Sequence, residues 1–519
     1  MHLLQPNIHS RRAFLRRSAQ LAFTGAALPT ALNLAAMGEA AAFNAANGSY
    51  KALVCVFLYG GNDYANTVVP YDNLSYDLYN QIRGGAVGQR SGGIALSKVA
   101  EAIAGVNYPG LDPTLLAPTT ALADSRQYAL HPSMTGLAGL FNAGQAAVQL
   151  NVGPLVMPID KTQYKGTDRF NYPLPPKLFS HNDQQSIWQS SSPEGSTVGW
   201  GGNIGDLALS SNGGGSLFTC VSVTGNSVFL AGDSALPYQV SSGGAVKIKS
   251  VTDSLYGSSA AKDAMAQLVQ EARSHVLENE YNKVTKRAIG AESTITSSIA
   301  TGAAVGTGAE FAPLNAALKT TISDRTTDNP LAAQLKMVAR LIAARGNLGT
   351  KRQVFFVSLG GFDMHDNLLS GHVLSLARVS QAMTAFYETT KLLGVDKDVT
   401  AFTASDFGRT MTSNGDGSDH GWGSHHFMVG GAVKGKAFYG YAPPVGTAST
   451  TPAARVEHAW EVGQGRLLPT TSVDQYAATL ATWFGVDATE LQGILPSIRN
   501  FSGTANSGIA YPVNLGFML

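Results

Sequence analysis

The chain has 519 residues, 44% of them hydrophobic and 14% charged, a composition that marks a folded globular protein and excludes intrinsic disorder. Its formal net charge of +1 gives no electrostatic case for nucleic-acid binding. The length suits one large α/β domain with insertions, or two domains.

The N-terminus reads as a targeting segment. Ser10-Arg11-Arg12-Ala13-Phe14-Leu15-Arg16 has the form of a twin-arginine signal, followed by an apolar run from Leu21 to Met37 and small residues at Ala40-Ala41-Ala42. Thr24, Pro29 and Asn33 interrupt that run, which argues against a membrane anchor. Residues 1–42 are therefore expected to be a signal peptide. The mature protein is expected in the periplasm or secreted, with no membrane span. Removing residues 1–42 takes away four arginines and Glu39 and turns the net charge to −2.

From residue 43 onward the pattern is that of an α/β domain. Ala52 to Tyr59 is a continuous apolar run ended by Gly60-Gly61, as a buried parallel strand reads. His131-Pro132 opens a helical stretch with Leu137, Leu140 and Phe141 on one face, and Ala146 to Val152 reads as the next strand. Residues 153–178 read as loop, after which Ser180 is placed to cap a short helix containing Ile187 and Trp188. Gly/Ser/Ala-rich tracts mark 210–320 as an insertion or cap, or else a separate domain, carrying one long helix over about 260–288. Leu331, Leu335, Val338 and Leu341 have helical spacing, and Gln353 to Leu359 reads as a strand ending at Gly360-Gly361. Leu376, Val379, Met383 and Phe386 mark a helix, and Val399 to Ala404 the strand after it. That β-α-β unit makes the two strands parallel. Ser472 precedes a last helix with Tyr476, Leu480 and Trp483. The whole predicts a doubly wound, mostly parallel sheet flanked by helices. Cys55 and Cys220 sit in apolar strand-like runs and are read as two buried free thiols, although export permits a disulfide.

Five of the eleven histidines fall between His365 and His426, among aspartates and glycines. Asp63, Asp363 with His365, and Asp406 each follow a predicted strand, where ligands bind in open parallel sheets. Converging carboxylates repel and raise one another's pKa unless a cation neutralises them. Two divalent ions about 4 Å apart would do so and suit ester cleavage. Asp419, His420 and His425 can supply further ligands from another side. His372 is read as surface helix, His131 as a capping or packing residue, and His425-His426 as part of a glycine loop.

The pieces Leu58-Tyr59-Gly60-Gly61-Asn62-Asp63, Gly360-Gly361-Phe362-Asp363-Met364-His365, Ser405-Asp406-Phe407-Gly408-Arg409-Thr410, Asp419-His420-Gly421 and Pro469 to Tyr476 occur in one order. Together they resemble domain-of-unknown-function 1501, a family of twin-arginine-exported bacterial proteins placed in the alkaline phosphatase-like (sulfatase) superfamily. The resemblance implies a doubly wound α/β fold, two metal ions, and hydrolysis of phosphate or sulfate esters through a Ser, Thr or modified Cys nucleophile. It implies that Asp63, Asp363, His365, Asp406 and His420 bind metal. Zinc, manganese, magnesium and calcium all remain open. In several superfamily members a histidine follows the later acid, where this chain has Phe407. Ser180 is the candidate nucleophile because helix N-terminal amides favour an anion, and Arg409 the candidate clamp on the anionic group. The substrate expected is an anionic ester, small molecule or polysaccharide. The alternative is a non-catalytic exported binding or assembly protein on the same fold.

Overall fold

In the computed structural model, which describes residues 49–519 except 87–88, 91–92, 104–105, 214–216, 323, 447–457 and 505–507, the long apolar runs among the described residues become strands or buried helix faces. The export signal expected at residues 1–42 lies outside the described residues. In chain order the elements that matter here are β1 (Lys51–Leu58), α1 (Tyr64–Thr67), α2 (Asn73–Gly84), α3 (Thr135–Asn142), β2 (Ala146–Gly153) and α4 (His181–Ser190). There follow α5 (Trp200–Ala208), β3 (Cys220–Ser222), β4 (Tyr238–Gln239), α6 (Ser259–Leu268), α7 (Val276–Ser298) and α8 (Pro330–Ala343). The last are β5 (Arg352–Leu359), α9 (Leu368–Leu392), β6 (Val399–Ser405), β7 (Ser424–Val429), β8 (Phe438–Tyr439), β9 (Thr471–Ser472) and α10 (Val473–Phe484).

The sheet runs β4-β3-β5-β1-β6-β7-β2-β8, with β9 also paired to β2. Of these nine strands only β7 is antiparallel to its neighbours, β6 and β2. β5 and β6 are parallel, as the β-α-β reading requires, but β1 lies between them and pairs with both. The strands carrying Asp63, Asp363 and Asp406 are thus side by side at the centre of the sheet.

Alternation along β1 explains why helices cover both faces. Ala52, Val54, Val56 and Leu58 join the core shared with α3, α8 and α9. Leu53, Cys55 and Phe57 join the core shared with α5 and α10. Each Val, Leu or Phe so buried contributes roughly 1.5–3 kcal/mol. The protein is therefore a mixed α/β structure with a mostly parallel central sheet, and Cys55 and Cys220 are free and buried. No described helix is long and apolar enough to cross a membrane.

Within residues 210–320, β3 and β4 extend the edge of the sheet, and Ala291, Ile295 and Phe311 enter the core. Two details differ from expectation. The long helix expected over 260–288 is two, α6 and α7. His372 lies on the inner face of α9, 1% exposed, with Nε2 2.9 Å from Asn62 Oδ1, and is not a surface residue.

Candidate metal centre

The centre forms where the chain leaves β1, β5 and β6. Gly60, at φ +116°, lets the β1 exit pass against the β5 exit; a Cβ there would lie 2.3 Å from the Asp363 nitrogen. Gly417 packs as closely on His365, its built Cβ 2.2 Å from that residue's carbonyl carbon. A short antiparallel pair, Arg409–Ser413 with Ser418–His420, brings Asp419 and His420 back over the strand ends. From the other side, α4 presents His181 at its first residue.

His181, Asp363 and His420 offer ligand atoms within 4.8 Å of one another. Ligands of one zinc-like ion with bonds of about 2.1 Å lie up to about 4.2 Å apart, so the three stand near ligating separation. His181 Nε2 is 3.3 Å from Asp363 Oδ2, and His420 Nε2 is 3.3 Å from Asp363 Oδ1. His365 Nε2 lies 3.1 Å from Asp363 Oδ1 and 3.0 Å from His420 Nε2.

The outer nitrogen of each imidazole meets an acceptor. His181 Nδ1 is 2.7 Å from Asp406 Oδ2, His365 Nδ1 is 3.1 Å from Asp419 Oδ1, and His420 Nδ1 is 2.8 Å from the Phe179 carbonyl. A carbonyl can only accept, so His420 carries its hydrogen on Nδ1 and turns a lone pair on Nε2 inward. The same arrangement at His365 and His181 would leave Nε2 lone pairs facing the Asp363 carboxylate, with no hydrogen between them. His181 Nε2 is indeed buried without a hydrogen-bond partner. An inward Nε2 lone pair beside the Asp363 carboxylate, with an acceptor behind the ring, would suit a metal ion.

Burial and neighbouring charges act in different directions on these groups. Burial works to raise the Asp363 carboxyl, but Arg409's hydrogen bond and charge, with His181 and His365, bring it below the usual carboxylate range. The hydrogen bond to Asp406 raises the His181 imidazole against the opposing effect of burial, while burial lowers His420. Asp406 is fully buried; its Oδ2 accepts from His181, from Gln185 Nε2 at 2.8 Å and from the Gly60 amide at 3.2 Å, while Oδ1 has no partner.

Other residues expected at the site make bonds of their own. Asp63 caps α1 by accepting from Asn66 N at 2.9 Å, and its second oxygen takes Arg83 Nη2 at 2.8 Å and Ser418 Oγ at 2.7 Å. With both oxygens engaged by donors, it stands one layer behind the imidazoles. His425 lies on β7 rather than in a loop, between Tyr64 and Tyr128, and accepts from Asn151 N at 3.0 Å. Burial lowers its pKa to about 4. Arg409 is fully buried and bonds Asp363 Oδ1, Gly60 O and Ser418, so its donors are engaged within the protein. Ser180 precedes α4 as expected, but its Oγ donates to Asp183 Oδ2 at 2.9 Å instead of accepting from a backbone amide.

His181 escaped the sequence reading because it lies 225 residues from its partner Asp406 and outside the histidine-rich stretch. The signal available was its neighbour: the helix opening at Ser180 was already marked as an anion site. Phe407, which directly follows Asp406, packs against His181 and His420 with ring centroids 4.9 and 4.7 Å away.

A family model described as a protein of unknown function, DUF1501, matches residues 50–495, and the chain belongs to that family. No curated protein matches it. Two solved structures superpose loosely. One is described as Ps i-CgsB in complex with k-i-k-neocarrahexaose: 10% identity, TM-score 0.34, covering 87% of this chain and 77% of that one. The other is labelled BT33494S-sulf, from Bacteroides thetaiotaomicron, under the metabolism of multiple glycosaminoglycans: 11% identity, TM-score 0.30, covering 87% and 74%. Superpositions this loose do not define a common fold or a shared chemistry.

Proposed function

We propose that this DUF1501 member is an exported, metal-dependent hydrolase of phosphate or sulfate esters on an alkaline phosphatase-like fold. The observation that carries the proposal is the set of imidazoles turned on Asp363, each backed by its own acceptor. His181, Asp363 and His420 hold a divalent ion, with His365 beside them. One ion fits better than the two that the family resemblance implies, because Asp63 is bonded to Arg83 and Ser418. Such an ion supplies Lewis acidity to ester chemistry.

The protein's own groups do the rest. Arg409 fixes the Asp363 carboxylate, and Asp406 and Asp419 orient His181 and His365. Ser180 attacks: its Oγ already donates to Asp183, which takes the proton as the bond from Oγ to phosphorus or sulfur forms and returns it to the departing ester oxygen as the bond to the alcohol breaks; water then cleaves the seryl ester. Phe407 is the observation that favours the second reading, a binding protein without turnover, since an apolar ring stands where several members of the superfamily it resembles have a histidine.

The test is turnover of p-nitrophenyl phosphate and p-nitrophenyl sulfate by the mature protein loaded with zinc or manganese. Asp363→Ala and His181→Ala should each lower kcat/KM by at least about 10²–10³-fold. Tightly bound metal with no turnover of either ester by the wild type would leave the binding protein as the surviving reading.

A further inference from the structure

The donors of Arg409 are engaged within the protein, yet an anionic ester needs a cation beyond the ion itself. Of the described arginines, Arg466 is placed for this. Its Nε donates to the His420 carbonyl at 2.8 Å, and its guanidinium lies over the Phe179 ring, 5.1 Å from the centroid. Phe179 in turn gives its carbonyl to His420 Nδ1. Arg466 and the His420 imidazole are thereby held in a fixed relation through two separate links.

The rest of the guanidinium is open. Nη1 reaches only the Gly463 carbonyl, at 3.5 Å, and Nη2 has no partner among the described residues. A stacked arginine is pre-ordered for a tetrahedral oxyanion, because its plane is fixed and one edge is free. The charged and titratable groups facing it are Asp419, Tyr164 and Glu461. Glu461 is occupied by Lys161 Nζ at 3.3 Å and by the amides of Gly463 and Gly465. Phe179 holds its place at φ +72°, a left-handed conformation that is strained for a non-glycine residue. The chain bears that strain where the ring carries Arg466 and the carbonyl orients His420.

We propose that Arg466, seated on Phe179, grips the anionic phosphate or sulfate group of the substrate and is the residue by which this site selects anionic over neutral esters. The inference rests on the ester-hydrolase reading, and its test separates the two. Inorganic phosphate is titrated calorimetrically into the mature protein, with and without zinc, for wild type, Arg466→Gln and Arg466→Lys. Zinc content is measured in parallel. The expected result is phosphate binding weakened about 10- to 100-fold in Arg466→Gln and partly restored in Arg466→Lys, with zinc content unchanged. Arg466→Gln that binds phosphate like the wild type would overturn the inference and leave the metal centre intact. Loss of zinc together with phosphate would also overturn it, since Arg466 would then only be holding His420 in place. No phosphate binding by the wild type in either form would overturn it as well. If the wild type takes up no zinc, the hydrolase reading fails; an Arg466-dependent phosphate affinity in that metal-free protein would still support the grip.

Discussion

His181 sits between two carboxylates, with Nδ1 2.7 Å from Asp406 and Nε2 3.3 Å from Asp363. The short contact orients the ring, and the longer one marks where a cation belongs. Asp406 therefore acts on the centre through His181 by Oδ2. Asp406→Asn is expected to weaken zinc affinity about 10- to 100-fold, the usual cost of losing an outer-shell partner. A competition titration against a chelating dye measures this, and an unchanged affinity would remove Asp406 from the centre. Behind the imidazoles, Arg83 is 1% exposed and donates to Asp63, Asn66, Thr410 and Met411. Arg83→Met would strand the Asp63 carboxylate in the core, and loss of one partner of a buried pair costs about 3–5 kcal/mol. Urea unfolding should register that loss; a cost below about 1 kcal/mol, the worth of an exposed pair, would contradict the account of Asp63.

α10 offers a prediction at the scale of an element. Asp474, in its first turn, is buried and raised to about 6 from 3.8, chiefly by burial, although Ser191 and the Ser497 amide bond it. A carboxyl whose folded pKa lies above its unfolded one stabilises the fold when protonated. That contribution is complete below pH 3.8 and is lost as pH rises through about 6. It amounts to about 3 kcal/mol. Asp474→Asn should therefore lose less stability than the wild type between pH 4.5 and 7.5 in urea titrations, and parallel losses would refute the assignment. The elements themselves were legible wherever burial leaves a continuous mark. β1, β5 and β6 are apolar runs ended by glycine or a polar turn, and α10 opens with the capping box of Ser472 and Gln475. The break between α6 and α7 was not legible, because residues 269–275 contain neither glycine nor proline. His425 and His426 misled because glycines flank a segment that β7 buries between β6 and β2. At the site, Asp363, His365 and His420 could be picked from one stretch of sequence. His181 could not, since only the packing of α4 over the strand ends brings it there.

Over the whole molecule the centre joins parts that are distant in the chain: α4, the exits of β1, β5 and β6, and the hairpin that ends at His420. An ion there binds the folded chain and not the unfolded one, so it should raise stability by about 2.7 kcal/mol at a hundredfold excess over its Kd. The same linkage gives the central claim its most direct check. That check is the metal content of the purified protein by elemental mass spectrometry, before and after dialysis against zinc, with His181→Ala alongside. About one zinc-like ion per wild-type chain, lost in His181→Ala, is the expected result. A folded wild type that holds no metal and takes up neither zinc nor manganese would contradict the metal centre, and with it the hydrolase.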